Sequence, residues 1–266
     1  MNRGSRTDRA VCNGRAACGI RTKRLKTINT LIKQPLRPIC GDWFKKIKKM
    51  ENNQNEWLVK CMPVNPIQMN LYVLYQRGGA GAIIDPGCCE DFEFENLFSL
   101  TEKEQIKIEH ILLTHPHFDH IMGAARVCQH YGLPLELHEK AVPMVEGAIK
   151  SMSAFGLPVA EVPKELKALK DKECVRFGGT LLETRYTPGH CEGSVCYVWP
   201  DQKTVFSGDV LFHGSIGRTD FPTGDLDMLR KSIAERLFML EDDYTVRPGH
   251  GGRTSIGYEK YNNPFL

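Results

Sequence analysis

Residues 114–120 read Thr114-His115-Pro116-His117-Phe118-Asp119-His120, and they follow directly on the apolar run of residues 111–113. The chain of 266 residues has nine histidines, and three of them lie in this one turn. A turn that only reverses the chain direction requires Gly, Asn or Asp and has no use for imidazoles. A strand that ends in a dense set of imidazole and carboxylate groups can present a site at the rim of a rigid scaffold. The stretch therefore predicts a metal-binding turn.

Three later segments repeat the order of strand, tight turn and candidate ligand. Each follows a run with strand character, at residues 180–186, 204–206 and 244–246, and each turn contains glycine, which lets the backbone pass close to a bound ion. The turns read Thr-Pro-Gly-His, Ser-Gly-Asp and Pro-Gly-His-Gly, and they supply one candidate each. With the first turn, the candidate ligands are five histidines and two aspartates: His115, His117, Asp119, His120, His190, Asp209 and His250.

Seven ligands exceed the four that one tetrahedral zinc ion accepts, and they suit two ions that share a group. Imidazole and carboxylate ligands favour zinc, iron or manganese. The sequence has no CxxC pair, which argues against a structural zinc cluster. We therefore predict two divalent metal ions as the cofactor, with zinc as the first expectation and iron or manganese as alternatives.

The motif HPHFDH followed by TPGH, SGD and PGHG resembles the pattern of the metallo-β-lactamase-fold hydrolases, over roughly residues 57–257. The resemblance implies an α/β fold, a four-layer αββα sandwich of two mixed β-sheets with helices on the outer faces. It also implies how the ligands divide. One metal is expected on His115, His117 and His190, the second on Asp119, His120 and His250, with Asp209 bridging the two.

The resemblance also implies a mechanism. Two cations about 3.5–4 Å apart lower the pKa of a water held between them towards neutrality. The expected reaction is attack of the bridging hydroxide on a carbonyl, with Asp119 as the catalytic residue that orients it. No separate Ser or Cys nucleophile is then required.

Residues 211–225, which read LFHGSIGRTDFPTGD, are similar to a segment of small single-domain enzymes related to glyoxalase II, the hydroxyacylglutathione hydrolases. This similarity predicts a small-molecule thioester as substrate. Arg218 and Arg253 are expected to contact a substrate carboxylate, because a planar guanidinium suits that group. An ion pair of Arg218 with Asp220 or Asp225 is the alternative.

Other functions remain open at this point. The string GRTDF also occurs in persulfide dioxygenases, which share the scaffold but use one iron and molecular oxygen, and this is the main alternative. Lactonases and β-lactamases of the same fold are weaker alternatives, because nothing in the sequence marks their substrates. A non-catalytic metal-binding or nucleic-acid-binding protein is disfavoured by the intact ligand set.

Periodicity and turn residues predict strands at residues 58–61, 71–75, 82–85 and 111–114, and helices at 91–100, 121–130, 140–152 and 226–240. Residues 139–172, between the first ligand cluster and His190, interrupt this alternation of predicted strands and helices. They are expected to form either a lid over the site or a packed surface helix with a loop. In the lid, the apolar wall would consist of Met152, Phe155 and Leu157, with Phe155 in contact with substrate.

The charge distribution separates a leader, residues 1–50, from a single catalytic domain, residues 51–266. The leader has 14 Lys+Arg and 2 Asp+Glu, whereas the remainder has 21 and 30. We expect the leader to be disordered, or absent from a native protein that starts at Met50. A mitochondrial transit peptide is the alternative, because the leader is Arg-rich, poor in acids and amphipathic. A nucleic-acid-binding tail is a third, weaker reading.

Composition limits the remaining possibilities. The ten cysteines show no disulfide framework, and the sequence has no secretory signal, so reduced thiols and a cytoplasmic location are expected. The longest apolar runs are too short to span a membrane. We expect neither a nucleic-acid partner nor a membrane, and the sequence leaves the oligomeric state open.

Overall fold

The computed structural model describes residues 56–157 and 159–266. The predicted leader, residues 1–50, lies outside the described residues, so that prediction stays a prediction. The described residues form two mixed six-stranded sheets that pack face to face, with helices on both outer faces. The four-layer αββα expectation is confirmed.

The first sheet is formed by the N-terminal strands, in sequence order from edge to edge. The first three strands are antiparallel and the last three run parallel to the third. The strands are β1 (Trp57–Val64), β2 (Met69–Gln76), β3 (Ala80–Ile84), β4 (Lys107–Leu112), β5 (Leu135–His138) and β6 (Leu166–Leu169).

The second sheet has the order β14-β13-β10-β9-β8-β7, and only its β10–β13 pair is parallel. A small hairpin of β11 and β12 follows β10. The strands are β7 (Cys174–Phe177), β8 (Thr180–Tyr186), β9 (Val195–Trp199), β10 (Thr204–Gly208), β11 (Leu211–Phe212), β12 (Ser215–Ile216), β13 (Thr245–Pro248) and β14 (Thr254–Ser255).

The helices are short. A 3₁₀ turn at Val142–Met144 precedes the helix at Val145–Ser151, and another at Met152–Phe155 follows it. A third 3₁₀ turn spans Pro200–Gln202, and a π-helical turn at Ile233–Leu237 follows the helix at Leu226–Ser232. The α-helices are α1 (Asp91–Lys103), α2 (Phe118–Ile121), α3 (Ala124–Tyr131), α4 (Val145–Ser151), α5 (Leu226–Ser232) and α6 (Ile256–Asn262).

Three apolar layers hold the sandwich together, because alternating strand residues face opposite sides of each sheet. The central layer lies between the sheets and includes Leu74, Ile84, Trp199 and Phe206. The Trp199 ring meets that of Trp57 edge-on at 5.2 Å. The two outer layers pack helices on the sheets, with Phe94, Leu97 and Val127 on the first and Leu229, Ile233 and Ile256 on the second.

Two helix predictions need correction. The helix predicted at 121–130 is divided at Gly123, where the backbone passes so close to the β3–α1 loop that a Cβ would lie 2.6 Å from Cys88 O. The helix predicted at 226–240 changes to a π-helical turn at residue 233 and ends at residue 237. Both helices, one on each outer face, are therefore shorter than the apolar periodicity indicates.

The segment 139–172 is only partly a covering element. The helix predicted at 140–152 is α-helical only at Val145–Ser151, because it begins with a 3₁₀ turn that contains Pro143. The end of the segment forms β6, which pairs with β5 and is the edge strand of the first sheet. Met152 is buried in the outer core and Leu157 packs against it, so Phe155 alone of the three expected wall residues remains exposed.

No helix among the described residues is both long enough and apolar enough to cross a membrane.

Candidate metal centre

The seven candidate ligands lie together at one end of the sandwich, in the turns that follow strands of both sheets. The first turn follows β4 and leads into α2, and the others follow β8, β10 and β13. Potential donor atoms lie within 4.8 Å of one another in three groups. The groups are His115–His117–His190, His115–His120–Asp209 and Asp119–His120–His250.

Three imidazole nitrogens converge in the first group. Nδ1 of His117 lies 3.1 Å from Nε2 of His115 and 2.9 Å from Nε2 of His190. Nδ1 of His190 faces Arg218 O at 2.7 Å, so it carries the proton and leaves a lone pair on Nε2. Nδ1 of His115 faces the Thr114 hydroxyl at 3.0 Å, and the same assignment places a lone pair on its Nε2. Nδ1 of His117 can carry only one proton, so it cannot donate a hydrogen bond to the lone pairs of both His115 and His190. A cation between the three nitrogens would bind all of them.

The same three imidazoles are held in the form that binds metals. Burial, followed by the charges of neighbouring histidines, lowers the pKa of His115 far below its ordinary value and that of His117 to about 4. Burial also lowers the pKa of His190. The three rings are therefore neutral near pH 7, with free lone pairs.

The other two groups share His120 and contain the carboxylates of Asp119 and Asp209. Nε2 of His120 lies 3.4 Å from Asp209 Oδ1 and 3.6 Å from Asp119 Oδ2, while Nε2 of His250 lies 3.1 Å from Asp119 Oδ2. Burial opposes charge on both carboxylates, but the neighbouring His120 and His250 outweigh it and hold the pKa of each carboxyl below its usual range. Burial likewise opposes a charge on His120, yet the carboxylates around it raise its pKa.

Two observations test whether this cluster fits metal ions. Nε2 of His120 and Oδ1 of Asp209 are buried and have no hydrogen-bond partner, a costly condition that a bound cation would relieve. A Cβ on Gly249 would lie 2.3 Å from Asp209 Oδ1 and 2.6 Å from His120 Cε1. Glycine in the turn after β13 therefore leaves a space beside Asp209 and His120 that the Cβ atom of any other residue would fill. The donor set fits two divalent cations.

The sequence motifs do not identify several residues that hold the candidate ligands in place. Asp85, directly after β3, accepts hydrogen bonds from His120 Nδ1 at 2.9 Å, from Thr114 N at 2.7 Å and from the Thr114 hydroxyl at 2.8 Å. Asn65 donates to the carbonyl of Asp119 at 2.9 Å, and Asn70 to that of Pro248 at 3.1 Å. Asp85 had a visible signal, because Asp85-Pro86-Gly87 is a fifth turn of the same strand–turn form. No local signal marks Asn65 or Asn70.

A cavity of about 690 Å³ opens above the cluster. Five of the candidate ligands lie at its floor, and Phe155 and Arg218, both predicted to contact substrate, lie on its walls. The remaining walls are mostly apolar. The full lining is Ile67, Pro116, His117, Phe118, Asp119, Met144, Gly147, Ala148, Ser151, Phe155, His190, Asp209, Arg218, Phe221, Pro222, Thr223 and His250.

The two arginines predicted to contact substrate are placed differently. Arg218 lies on the cavity wall but makes two hydrogen bonds to Asp220, at 2.7 and 2.5 Å, as the alternative expectation has it. Its guanidinium also lies 4.2 Å from the centre of the Phe221 ring. Arg253 lines a separate depression beside Tyr258 and is not part of the cavity wall, because the chain turns away from the site after His250 to form β14.

Comparison with known proteins agrees with this geometry. Residues 65–250 match the family described as the metallo-beta-lactamase superfamily. The hydroxyacylglutathione hydrolase GloC of Haemophilus influenzae is 36% identical over 210 residues, which cover 78% of this chain and 97% of that protein.

Two solved structures are similarly close. A di-iron-bound form of TTHA1623 has a TM-score of 0.70 at 36% identity, covering 78% of this chain and 100% of its own. The B3 metallo-beta-lactamase BLEG-1 has a TM-score of 0.69 at 36% identity, covering 79% of this chain and 99% of its own.

Proposed function

The chain belongs to the metallo-beta-lactamase superfamily and is by that membership a metal-dependent hydrolase, and we propose that it cleaves small-molecule thioesters. The observation that carries this proposal is the cluster of seven donors, five of which lie at the floor of a cavity whose wall includes residues 221–223. Those residues belong to the segment that resembles glyoxalase II-like enzymes, and the backbone of the same segment orients His190 through Arg218 O. Similarity to GloC supports the same substrate class.

We assign His115, His117 and His190 to one ion, Asp119, His120 and His250 to the second, and Asp209 to both. Three of the five histidines have the other ring nitrogen hydrogen-bonded to a fixed partner, which sets the tautomer that presents a lone pair to the cluster. Zinc is the metal we propose. The di-iron form of a 36% identical protein makes iron the alternative that the experiment must separate.

Bound at these residues, two divalent ions would supply a water nucleophile at neutral pH and polarise the carbonyl of the substrate. The protein positions the reaction. The Asp119 carboxylate, kept ionised by His120 and His250, accepts a hydrogen bond from the attacking water and orients it towards the carbonyl carbon. The C–S bond then breaks and the water oxygen stays in the carboxylate product. One water proton ends on the released thiolate to give the thiol, and the other is released to solvent.

The test combines metal analysis of the purified protein with turnover of S-lactoylglutathione, glutathione persulfide and a chromogenic β-lactam. Two zinc equivalents with thioester cleavage are the expected result. One iron equivalent with oxygen uptake on the persulfide would show a persulfide dioxygenase instead, and β-lactam cleavage without thioester cleavage would also overturn the proposal.

His115→Ala and Asp209→Ala should each abolish turnover, because each removes a ligand from the centre. The matched control is His130→Ala, at the end of α3, where the ring stacks on Phe98 at 3.6 Å instead of facing the cluster. Substantial activity in either ligand variant would contradict the ligand assignment.

A further inference from the structure

The walls of the 690 Å³ cavity are apolar on three sides above the cluster. Phe118 and Phe155 form one side, with ring centres 4.4 Å apart and planes 26° from parallel. Met144 and Ala148, from the 3₁₀ turn and α4, form the second, and Phe221 forms the third, with its ring centre 5.0 Å from that of His117. Aromatic rings grouped around a concave surface are characteristic of ligand sites.

The described lining of this cavity offers no unpaired cationic side chain to a strongly anionic group. No lysine is present among those residues, and the guanidinium of Arg218 already pairs with Asp220. A tripeptide with two carboxylates would find little pairing here, whereas a hydrocarbon group would lose water-exposed surface against the aromatic walls.

A second cavity of about 520 Å³ adjoins the cluster and shares Asp209, Arg218 and His250 with the first. Its remaining lining is Phe212, His213, Ser215 and residues 251–252. A thioester has two halves, and two cavities that meet at the candidate ligands offer one space for each.

We propose, on the premise of the thioesterase function above, that the apolar cavity binds the acyl half of the substrate and that this half is an extended hydrocarbon chain or an aromatic group. The short, hydroxylated lactoyl group leaves most of this cavity unfilled. The polar thiol carrier then extends into the second cavity. Thioesters with longer apolar acyl groups are the substrates that this site selects.

Gly147 offers a direct way to test the acyl site. It lines the cavity within α4, and no heavy atom lies within 4 Å of a Cβ built on it, so a larger side chain enters the cavity without a backbone clash. Gly147→Phe narrows the cavity, and Ala148→Phe on the same wall is a second variant. Lys150→Phe is the matched control, because Lys150 lies on the same helix, is exposed and does not line the cavity.

The first measurement compares kcat/KM of the metal-loaded protein for S-octanoylglutathione and S-lactoylglutathione. We expect a preference for octanoyl of about tenfold or more, since even one additional methylene bound in an apolar pocket can be worth about that factor. Gly147→Phe should reduce the octanoyl-to-lactoyl ratio by about tenfold, and Lys150→Phe should leave the ratio unchanged. Hydrolysis of both thioesters without a chain-length preference would overturn the acyl assignment while leaving the thioesterase proposal intact.

The second measurement is independent of turnover. Isothermal titration of the metal-loaded protein with S-octylglutathione and S-methylglutathione, which are thioethers and have no scissile carbonyl, reports binding alone. Tighter binding of the octyl compound, lost in Gly147→Phe and Ala148→Phe, supports the acyl site even if no thioester is hydrolysed. Equal affinity for the two thioethers, or an octyl affinity that neither variant changes, would overturn it.

Discussion

The Nδ1 atom of His120 donates a hydrogen bond to Asp85 Oδ2 at 2.9 Å, although 35 positions separate the two residues in the sequence. Both side chains are almost fully buried. Because Asp85 also accepts two hydrogen bonds from Thr114, it fixes the first residue of the ligand turn and one imidazole within it. Carboxylate–histidine pairs of this kind orient the ring and raise its basicity as a ligand.

Replacement of this carboxylate should weaken metal binding without unfolding the protein. Asp85→Asn keeps the shape but turns one acceptor into a donor, and we expect about a 10–100-fold loss of zinc affinity. Competition with a chromophoric chelator measures the affinity. Asp91→Asn, on the exposed first turn of α1, is the control. An Asp85→Asn protein that binds zinc as tightly as the wild type would contradict the orienting role.

Gly249→Ala should reduce the metal content. The added methyl group would lie 2.3 Å from Asp209 Oδ1, closer than real contacts allow, so the Asp209 carboxylate or His120 must move. We expect the loss of at least one metal equivalent per chain, measured by inductively coupled plasma mass spectrometry. Gly252→Ala has open space around its Cβ and should keep full occupancy. If both variants retain the wild-type metal content, the close approach at Gly249 is not required for binding.

The pair of His110 and Glu136 should make stability depend on pH. Burial lowers the pKa of His110, but the hydrogen bond and charge of Glu136, 2.5 Å away, outweigh it and raise the pKa above the ordinary value of 6.5. Protonated His110 therefore stabilises the fold fully below pH 6.5, and this contribution is lost as the pH rises through the raised pKa.

The measurement for this pair is the urea midpoint of the wild type and of His110→Gln from pH 6 to pH 9. The difference between the two proteins should shrink as the pH increases, because the wild type loses its charged pair and the variant has none to lose. Lys167 also contacts Glu136, at 2.8 Å, and this contact is present in both proteins. A difference that is constant or grows with pH would contradict the assignment.

Glu259 on α6 holds the β11–β12 hairpin against the site. It is fully buried and accepts hydrogen bonds from Gly214 N at 3.0 Å, from Asn263 Nδ2 at 2.7 Å and from the Thr254 hydroxyl at 2.5 Å. Glu259→Gln places a donor against these donors and should lower the free energy of unfolding by about 1–3 kcal/mol. Urea denaturation measures the loss, and the exposed Glu235→Gln on the π-helical turn should show almost none. Equal stabilities of the two variants would contradict this role.

Much of the fold follows from local patterns. Strand alternation and the turn after each strand mark β2, β4, β8 and β10, and the four strands predicted in the first sheet overlap β1 to β4. The least accurate is the strand predicted at 111–114, because β4 spans Lys107–Leu112. The helices are less predictable, because their ends depend on contacts with other elements. Gly123 interrupts a continuous apolar stripe only because the β3–α1 loop lies against it.

The candidate site shows the same division. His115, His117, Asp119 and His120 are adjacent in the sequence, so their proximity needs only one turn. The side chains that complete the site could not be predicted from adjacency in the sequence. Met152, Phe155 and Leu157 have the same apolar character in the sequence, yet only Phe155 lines the cavity, because the 3₁₀ turn after α4 faces the other two inward.

The types of the candidate ligands, the turns that present them and the alternation of strands and helices are encoded in the sequence, because each depends on residues only a few positions apart. Long-range packing instead sets which nitrogen of each imidazole faces the cluster, where the apolar cavity opens and which residues support the ligands. Those properties depend on contacts such as that of Asn70 with Pro248 O, across 178 positions. Strand order brings such residues together, and no local pattern encodes it.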